Sequence, residues 1–207
     1  MDLLITEKQM YLSNSRLFIK RTVNFFCAVI LLIILMPLLI IVAIITKLSS
    51  KGNIIYKQER IGLNKTPFVI YKFRSMYSNA EKNGPELSNN KDIRVTVWGK
   101  FMRRFKIDEL PQLWNIIKGD MNFVGPRPER KYFIEQITQQ GINYHKLLQI
   151  KPGLTSAGMV NYGYASTVEQ IIKRMQFDVE YIEQPSLSKN LKIILQTISI
   201  VFTGKGK

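Results

Sequence analysis

Two adjacent carboxylates, Asp108 and Glu109, stand directly before Leu110-Pro111-Gln112-Leu113-Trp114-Asn115, and Arg127 follows between two prolines in Gly125-Pro126-Arg127-Pro128-Glu129. A carboxylate pair can hold a divalent cation, handle a proton or attack phosphorus. An arginine on stiff backbone can grip a phosphate with little entropy lost, because each proline fixes its own φ and Pro128 also keeps Arg127 out of the α region. Read separately, each has a plainer use. Asp and Glu at a helix start cap free N–H groups and complement the helix dipole, and Pro-Arg-Pro is a surface turn.

The elements that must position these residues follow from the spacing. Leu110, Leu113, Trp114 and Ile117 form one apolar stripe of a helix, with Pro111 suited to its first turn and Gly119 to its stop. Asp108 and Glu109 then lie at its N-terminal end, where backbone donors also attract phosphate. Upstream, residues 53–58 and 67–75 read as two short strands joined through Gly62-Leu63-Asn64-Lys65-Thr66, a hairpin. Period two puts Phe68, Ile70, Lys72 and Arg74 on one face of the second strand. Its two cations form either a solvated basic edge or part of a phosphate grip. Residues 79–92, rich in Asn, Glu, Lys and Gly, read as a mobile loop. Trp98, Phe101, Met102 and Phe105 have helical spacing, with Arg103 and Arg104 among them. Lys151-Pro152-Gly153-Leu154-Thr155-Ser156-Ala157-Gly158 is a turn of small and hydroxyl residues, able to approach a ligand closely or to serve as a simple loop.

A second feature changes where this chemistry can happen. Residues 22–46 carry no charge, and the run is too long and apolar for a surface helix. As a straight helix it reaches roughly 37 Å, enough to cross a hydrocarbon layer of about 30 Å. Lys8, Arg16, Lys20 and Arg21 precede it while Lys47, Lys51, Lys57 and Arg60 follow, so the charge flanks give no orientation and suit both ends on the cytoplasmic side. Pro37 divides the run into legs of fifteen and nine residues. That geometry admits a re-entrant segment or a single span with a kinked proline. Near the C-terminus, Leu187, Leu191, Ile194, Leu195, Ile198, Val201 and Phe202 share one helical face. Such a helix either packs on the core or lies in the head-group layer.

Composition bounds the rest. A chain of 207 residues allows one core plus a membrane segment. Thirty Lys and Arg against fifteen Asp and Glu give a net charge of +15. Residues 51–131 hold seventeen basic and eight acidic side chains. That field favours anionic partners: phospholipid head groups, nucleotides, pyrophosphates or nucleic acid. Cys27 is the one cysteine and His145 the one histidine, which excludes a disulfide framework and a zinc site of thiolates or several histidines.

Together these residues resemble the bacterial sugar transferase family, the monotopic phosphoglycosyl transferases. The likeness rests on Tyr71-Lys72-Phe73-Arg74-Ser75-Met76, Asp108-Glu109-Leu110-Pro111-Gln112-Leu113-Trp114-Asn115, Lys118-Gly119-Asp120-Met121, Val124-Gly125-Pro126-Arg127-Pro128 and Lys151-Pro152-Gly153-Leu154-Thr155, in the family's order. It implies an α-rich α+β fold in three parts. Residues 1–50 would form an N-terminal segment and a re-entrant membrane helix bent at Pro37. Residues 51–186 would form a small cytoplasmic catalytic domain with a β-hairpin, and residues 187–207 an amphipathic interfacial helix. It also implies transfer of a sugar 1-phosphate from a UDP-sugar to polyprenyl (undecaprenyl) phosphate at the bacterial inner membrane, with release of UMP. This would start a surface polysaccharide or glycoconjugate.

In that scheme Asp108 is the nucleophile and forms a covalent phosphosugar, kept ionised by the helix start and nearby cations. Glu109 helps bind Mg2+ with Asp108 or handles a proton, and Lys72, Arg74, Arg103, Arg127 and Thr155 contact substrate. Anionic membrane lipid is a further partner, and nucleic acid is not one. Two departures stand out. Met36 replaces the usual Ser before the proline, and Met159-Val160-Asn161-Tyr162-Gly163-Tyr164 lacks the usual Gln and Arg, so donor choice cannot be copied from other members. With about twenty polar residues before the apolar run, the resemblance is to a short form. Two rival readings remain: a membrane-anchored basic nucleic-acid binder, whose salt-sensitive binding would survive Asp108→Ala, and a scaffold without catalysis, for which Asp108→Asn would cost little.

Overall fold

In the computed structural model, residues 14–206 except 83 and 90 are described. The predicted polar flank before them, with Lys8, lies outside the described residues. The apolar run forms helix α1, Asn14–Ser49, with Pro37 inside it. The two expected legs are thus one continuous element. It is long and apolar enough to cross a membrane, and little of it is covered by the rest of the chain.

Both ends of α1 are nevertheless fastened to the domain. Arg21 donates to the carbonyls of Ile116 and Ile117, and Asn24 Nδ2 donates to Asn122 Oδ1 at 2.9 Å. At the far end Arg74 donates to the carbonyls of Thr46, Ser50 and Asn53 and to the Ser50 hydroxyl. The last carbonyls of a helix have no partners within it, and Arg74 supplies them with five possible donors. Ala28 and Val42 face inward, against clusters that contain Leu113 and Ile116 and, further along, Phe73 and Met102.

The hairpin is present. Strand β1, Ile55–Ile61, pairs antiparallel with β2, Pro67–Phe73, so that Lys72 stands opposite Tyr56. Arg74 lies just past the end of β2. Helix α2, Val97–Arg104, is capped by the Thr96 hydroxyl, which accepts Gly99 N–H at 2.9 Å. A Cβ on Gly99 would stand 1.9 Å from the Ser75 carbonyl oxygen, so this contact requires glycine. Next comes a 3-10 turn, Ile107–Gln112, running into the six-residue helix α3, Leu113–Lys118. The carboxylates therefore sit in the 3-10 turn and not at the start of a long helix. The expected stripe is only partly inward: Leu113 is buried, Leu110 and Ile117 are half-buried, and Trp114 is 50% exposed, while Ile116, outside the stripe, is buried.

A second pair of strands is parallel: β3, Asn122–Val124, and β4, Gly153–Thr155. Lys151-Pro152-Gly153 approaches backbone, not an open cavity. A Cβ on Gly153 would lie 2.1 Å from Gly125 N, and Gly153 N–H donates to the Pro126 carbonyl at 3.0 Å. Helix α4, Lys131–Gln139, the short α5, Ala157–Asn161, and α6, Val168–Glu183, enclose the largest apolar cluster, centred on Ile137, Ile171 and Ile182. Helix α7, Leu187–Thr203, lays Ile193 on that core and leaves Leu187, Leu191, Leu195, Ile198 and Phe202 exposed as a stripe. The predicted face is thus divided, with Ile194 and Val201 partly covered and the rest open.

Candidate active site

The dyad is carried against β2 by Asn115. Its side chain accepts Tyr71 N–H at 3.3 Å and donates to the Val69 carbonyl at 2.6 Å and to Asp120 Oδ2 at 3.1 Å. One amide thereby takes the place of a neighbouring strand along β2. Lys106, in the left-handed region at φ 54°, turns the chain from α2 into the 3-10 segment. A non-glycine residue held there costs energy that the surrounding packing must cover. The result is that both carboxylates are buried, Asp108 and Glu109 each 5% exposed.

Their environments differ. Glu109 Oε1 accepts from Lys72 Nζ at 2.7 Å and from Arg127 Nη2 at 3.5 Å. Burial opposes its charge, yet Lys72, Arg127 and Lys106 outweigh that and hold it well below the usual Glu range. Asp108 moves the other way: burial and the neighbouring Glu109 charge raise it above the usual Asp range, against Lys72, Arg103 and Lys106. Asp108 Oδ1 is buried without a hydrogen-bond partner. Neither finding fits a cap, because a capping carboxylate accepts backbone N–H groups. The nearby cations expected to favour the Asp108 charge are outweighed by burial and by the Glu109 charge.

A cavity of about 250 Å³ opens on the dyad, walled at its inner end by Lys72, Arg103, Arg127 and Tyr164. Arg103 is oriented by two serines, its Nε donating to Ser75 Oγ at 2.9 Å and its Nη1 to Ser88 Oγ at 2.8 Å. The Arg127 guanidinium carbon lies 5.8 Å from the centroid of the Tyr164 ring, and Lys106 Nζ lies 5.3 Å from it. Burial pushes Tyr164 above its usual value, helped by Glu109 and Asp108, so it remains a neutral phenol.

The outer wall includes Tyr77, Ser78, Ala80, Glu81, Glu86, Leu87 and Ser88, and Arg94 supports it from behind by pairing with Glu86. Arg94 pairs with Asp92 through both carboxylate oxygens, Arg130 Nη1 reaches Glu81 Oε1 at 2.6 Å, and Ser166 Oγ donates to the Ser88 carbonyl at 3.2 Å. These bonds tie Glu81, Ser88 and Asp92 of the segment expected to be mobile. Beneath it Glu129 bridges Arg60 and Arg174.

Five of the seven predicted residues converge: Asp108, Glu109, Lys72, Arg103 and Arg127. The other two are used elsewhere. Arg74 borders the cavity, but its guanidinium is committed to the end of α1. The Thr155 hydroxyl is 2.7 Å from the Thr197 hydroxyl and ties β4 to α7. Tyr164, Glu129, Arg60, Arg130 and Glu81 were missed. Glu129 carried a usable signal, an acidic residue fixed directly after the Pro-Arg-Pro run, whereas the pairing of Glu81 with Arg130 spans 49 residues and leaves no local trace.

A family model described as bacterial sugar transferase matches residues 15–204. The chain is 38% identical over 189 residues to a UDP-N-acetylgalactosamine-undecaprenyl-phosphate N-acetylgalactosaminephosphotransferase of Aeromonas hydrophila, covering 91% of this chain and 45% of that protein. It is 36% identical to a UDP-glucose:undecaprenyl-phosphate glucose-1-phosphate transferase of Escherichia coli (strain K12), covering 94% of this chain and 42% of that protein. An uncharacterized sugar transferase of Bacillus subtilis (strain 168) is 32% identical, with 91% of this chain and 89% of that protein covered. The chain thus spans less than half the length of the first two relatives. With the family match running over nearly all of its residues, the chain belongs to the bacterial sugar transferase family.

Proposed function

We propose that this chain moves a sugar 1-phosphate from a UDP-sugar to polyprenyl (undecaprenyl) phosphate, releasing UMP, in two displacements at one phosphorus. The observation that carries the reading is Asp108: a buried carboxylate with an unpartnered oxygen, opening on a cavity walled by Lys72, Arg103 and Arg127. Relatives whose names specify UDP-sugars and undecaprenyl phosphate support it.

An Asp108 oxygen attacks the phosphorus bearing the sugar. The bond from that phosphorus to the UMP oxygen breaks, and UMP leaves with the electron pair. A phosphate oxygen of the lipid then attacks the same phosphorus and displaces the Asp108 carboxylate, giving the polyprenyl diphosphate sugar. Arg103 and Arg127 supply fixed donors for oxygens that gain charge in both steps. The raised affinity of Asp108 for a proton suits a nucleophile, because the ionised form is desolvated and poorly neutralised until substrate and cation arrive. Glu109, already ionised, keeps Lys72 and Arg127 in place.

Mg2+ fits this donor set as a shared ligand. Among the described residues no group of three or more His, Cys, Asp and Glu could hold a metal. Mg2+ is commonly held by one or two carboxylates with substrate phosphates completing its shell. Asp108 has the unused oxygen, while Glu109 Oε1 is taken by two cations. When bound, the ion would neutralise charge on the diphosphate.

We read α1 as a re-entrant segment bent at Pro37 with both flanks on the cytoplasmic face of the bacterial inner membrane. The exposed stripe of α7, with Lys189 and Lys192 beside it, suits anionic lipid. The test is incubation of detergent-solubilised protein with polyprenyl phosphate, Mg2+ and a panel of UDP-sugars while UMP is followed. Release that disappears in Asp108→Asn supports the reading; no release from any donor, or full activity in that variant, refutes it. Tags at Met1 and Lys207 found on opposite sides would refute re-entry.

A further inference from the structure

The prolines beside Arg127 fix its φ but not its distance from Glu109. That distance is set by groups which hold the loop by its backbone. Asp178 on α6 accepts Arg127 N–H on Oδ2 at 3.3 Å, and Tyr144 donates its hydroxyl to the Arg127 carbonyl at 3.3 Å. Arg60 on β1 donates to the Pro128 carbonyl at 3.1 Å, and Ile61 N–H donates to the Glu129 carbonyl at 3.0 Å. The two groups on Arg127 itself are therefore held by two fully enclosed side chains, Asp178 and Tyr144, each 2% exposed.

Asp178 does more than hold one N–H. Its Oδ1 accepts Gly158 N–H at 2.8 Å, in the first turn of α5. One carboxylate thus joins the loop that carries Arg127 to residues 156–164, the segment that ends in Tyr164. The approach is close: a Cβ on Gly158 would stand 2.6 Å from the Arg174 carbonyl oxygen and 3.2 Å from Asp178 Oδ2.

Residue type matters as well. Two N–H donors from two segments need two acceptors on one side chain. A carboxylate supplies both oxygens, whereas an amide would turn an NH2 group toward one of the donors. Keeping a carboxylate this deep has a cost, since burial pushes Asp178 up to about 6 against the N–H groups of Gly158 and Arg127 and the nearby Arg174. A fold that needed only packing here would be better served by an apolar residue.

Resting on the transferase reading above, we propose that Asp178 and Tyr144 are positioning residues for the reaction. They clamp the N–H and C=O of Arg127 so that its guanidinium meets Glu109 and the substrate phosphate, and Asp178 sets that placement relative to Tyr164. Neither touches substrate; both act through Arg127.

The test is a double-mutant cycle on the whole chain with Asp178→Asn, Tyr144→Phe and Arg127→Ala, singly and in pairs. It is read in donor kcat/KM from UMP release, in UDP affinity by calorimetry, and in Tm. A displaced Arg127 is expected to lower donor kcat/KM by on the order of tenfold to a hundredfold in Asp178→Asn and severalfold in Tyr144→Phe. In the Arg127→Ala background both effects fall to within about twofold, because residues that act through one group are not additive. Full, additive losses in that background overturn the proposal, as does an unchanged kcat/KM and UDP affinity in both single variants. If Asp178→Asn does not fold, the Tyr144→Phe cycle decides by the same criteria. If Arg127→Ala has no measurable turnover, the UDP affinities close the cycle. A wild-type chain that turns over no donor refutes the transferase reading, while additivity in an active chain refutes only the clamp.

Discussion

Lys72 Nζ lies 2.7 Å from Glu109 Oε1, and this pair is the electrostatic floor of the cavity. The same oxygen takes Arg127, so one carboxylate organises two of the cations that face the dyad. Glu109→Gln leaves Lys72 and Arg127 sharing a neutral amide. Breaking one side of a buried pair costs about 3 kcal/mol where the stranded charges keep some access to water. The expected outcome is a lower Tm together with a loss of kcat/KM of at least about tenfold, checked by thermal unfolding and UMP release.

Asp108→Asn separates the nucleophile from a helix cap. Asparagine caps a helix about as well as aspartate, so a mere cap would leave both Tm and transfer unchanged in this variant. Asp108 instead pays for burial and for the Glu109 charge beside it, so the neutral amide is expected to unfold at the same temperature as wild type or higher while transfer disappears. Differential scanning calorimetry beside the UMP assay checks both halves.

Arg74 and Arg103 both border the cavity, and they are expected to fail differently when shortened. Arg74→Ala strips the end of α1 of its donors and is expected to cost at least about 2 kcal/mol, since hydrogen bonds from a charged donor are worth about 1.5–3 kcal/mol each. Arg103→Ala removes bonds to Ser75 and Ser88. It is expected to raise KM for the UDP-sugar while moving Tm little. Measuring Tm and KM for both variants tests the division of labour.

The outer wall has an acid sensitivity of known sign. Two hydrogen bonds from the Arg94 side chain hold Asp92 well below the usual Asp range. A depressed carboxylate adds stability that is present above its unfolded value of about 4 and is lost as pH falls below that. Wild type is therefore expected to unfold at a higher temperature than Asp92→Asn at neutral pH. The gap should close as pH drops from about 4 downward, as read from Tm against pH for the two proteins.

Some of this arrangement was legible in the residues alone. The hairpin, the apolar helix, the dyad and Arg127 announce themselves through local pattern: alternation, a charge-free run, adjacent acids, prolines on both sides of one arginine. What stayed hidden depends on partners far along the chain. Period two put Lys72 and Arg74 on one face of the strand, but it could not show that Lys72 meets Glu109, that the strand ends at Phe73 or that Arg74 turns to the carbonyls of α1. Likewise the Asp-Glu pair looks the same in sequence whether it caps a helix or lies buried in a 3-10 turn. Only the packing of β2 and Asn115 around it decides, and burial there raises the proton affinity of Asp108. Trp114 fits the helical stripe by spacing and still faces outward, while Leu113, Asn115 and Ile116 turn inward.

Arg21 near one end of α1 and Arg74 at the other bolt a largely uncovered helix to α3, which continues the turn of the dyad, and to the end of β2. No slack tether separates anchor from chemistry. In the proposed membrane setting, a change in the inclination of the helix would reach Asp108 through these bonds, and the thickness of the surrounding bilayer would then be a variable that tunes turnover without touching a single substrate contact.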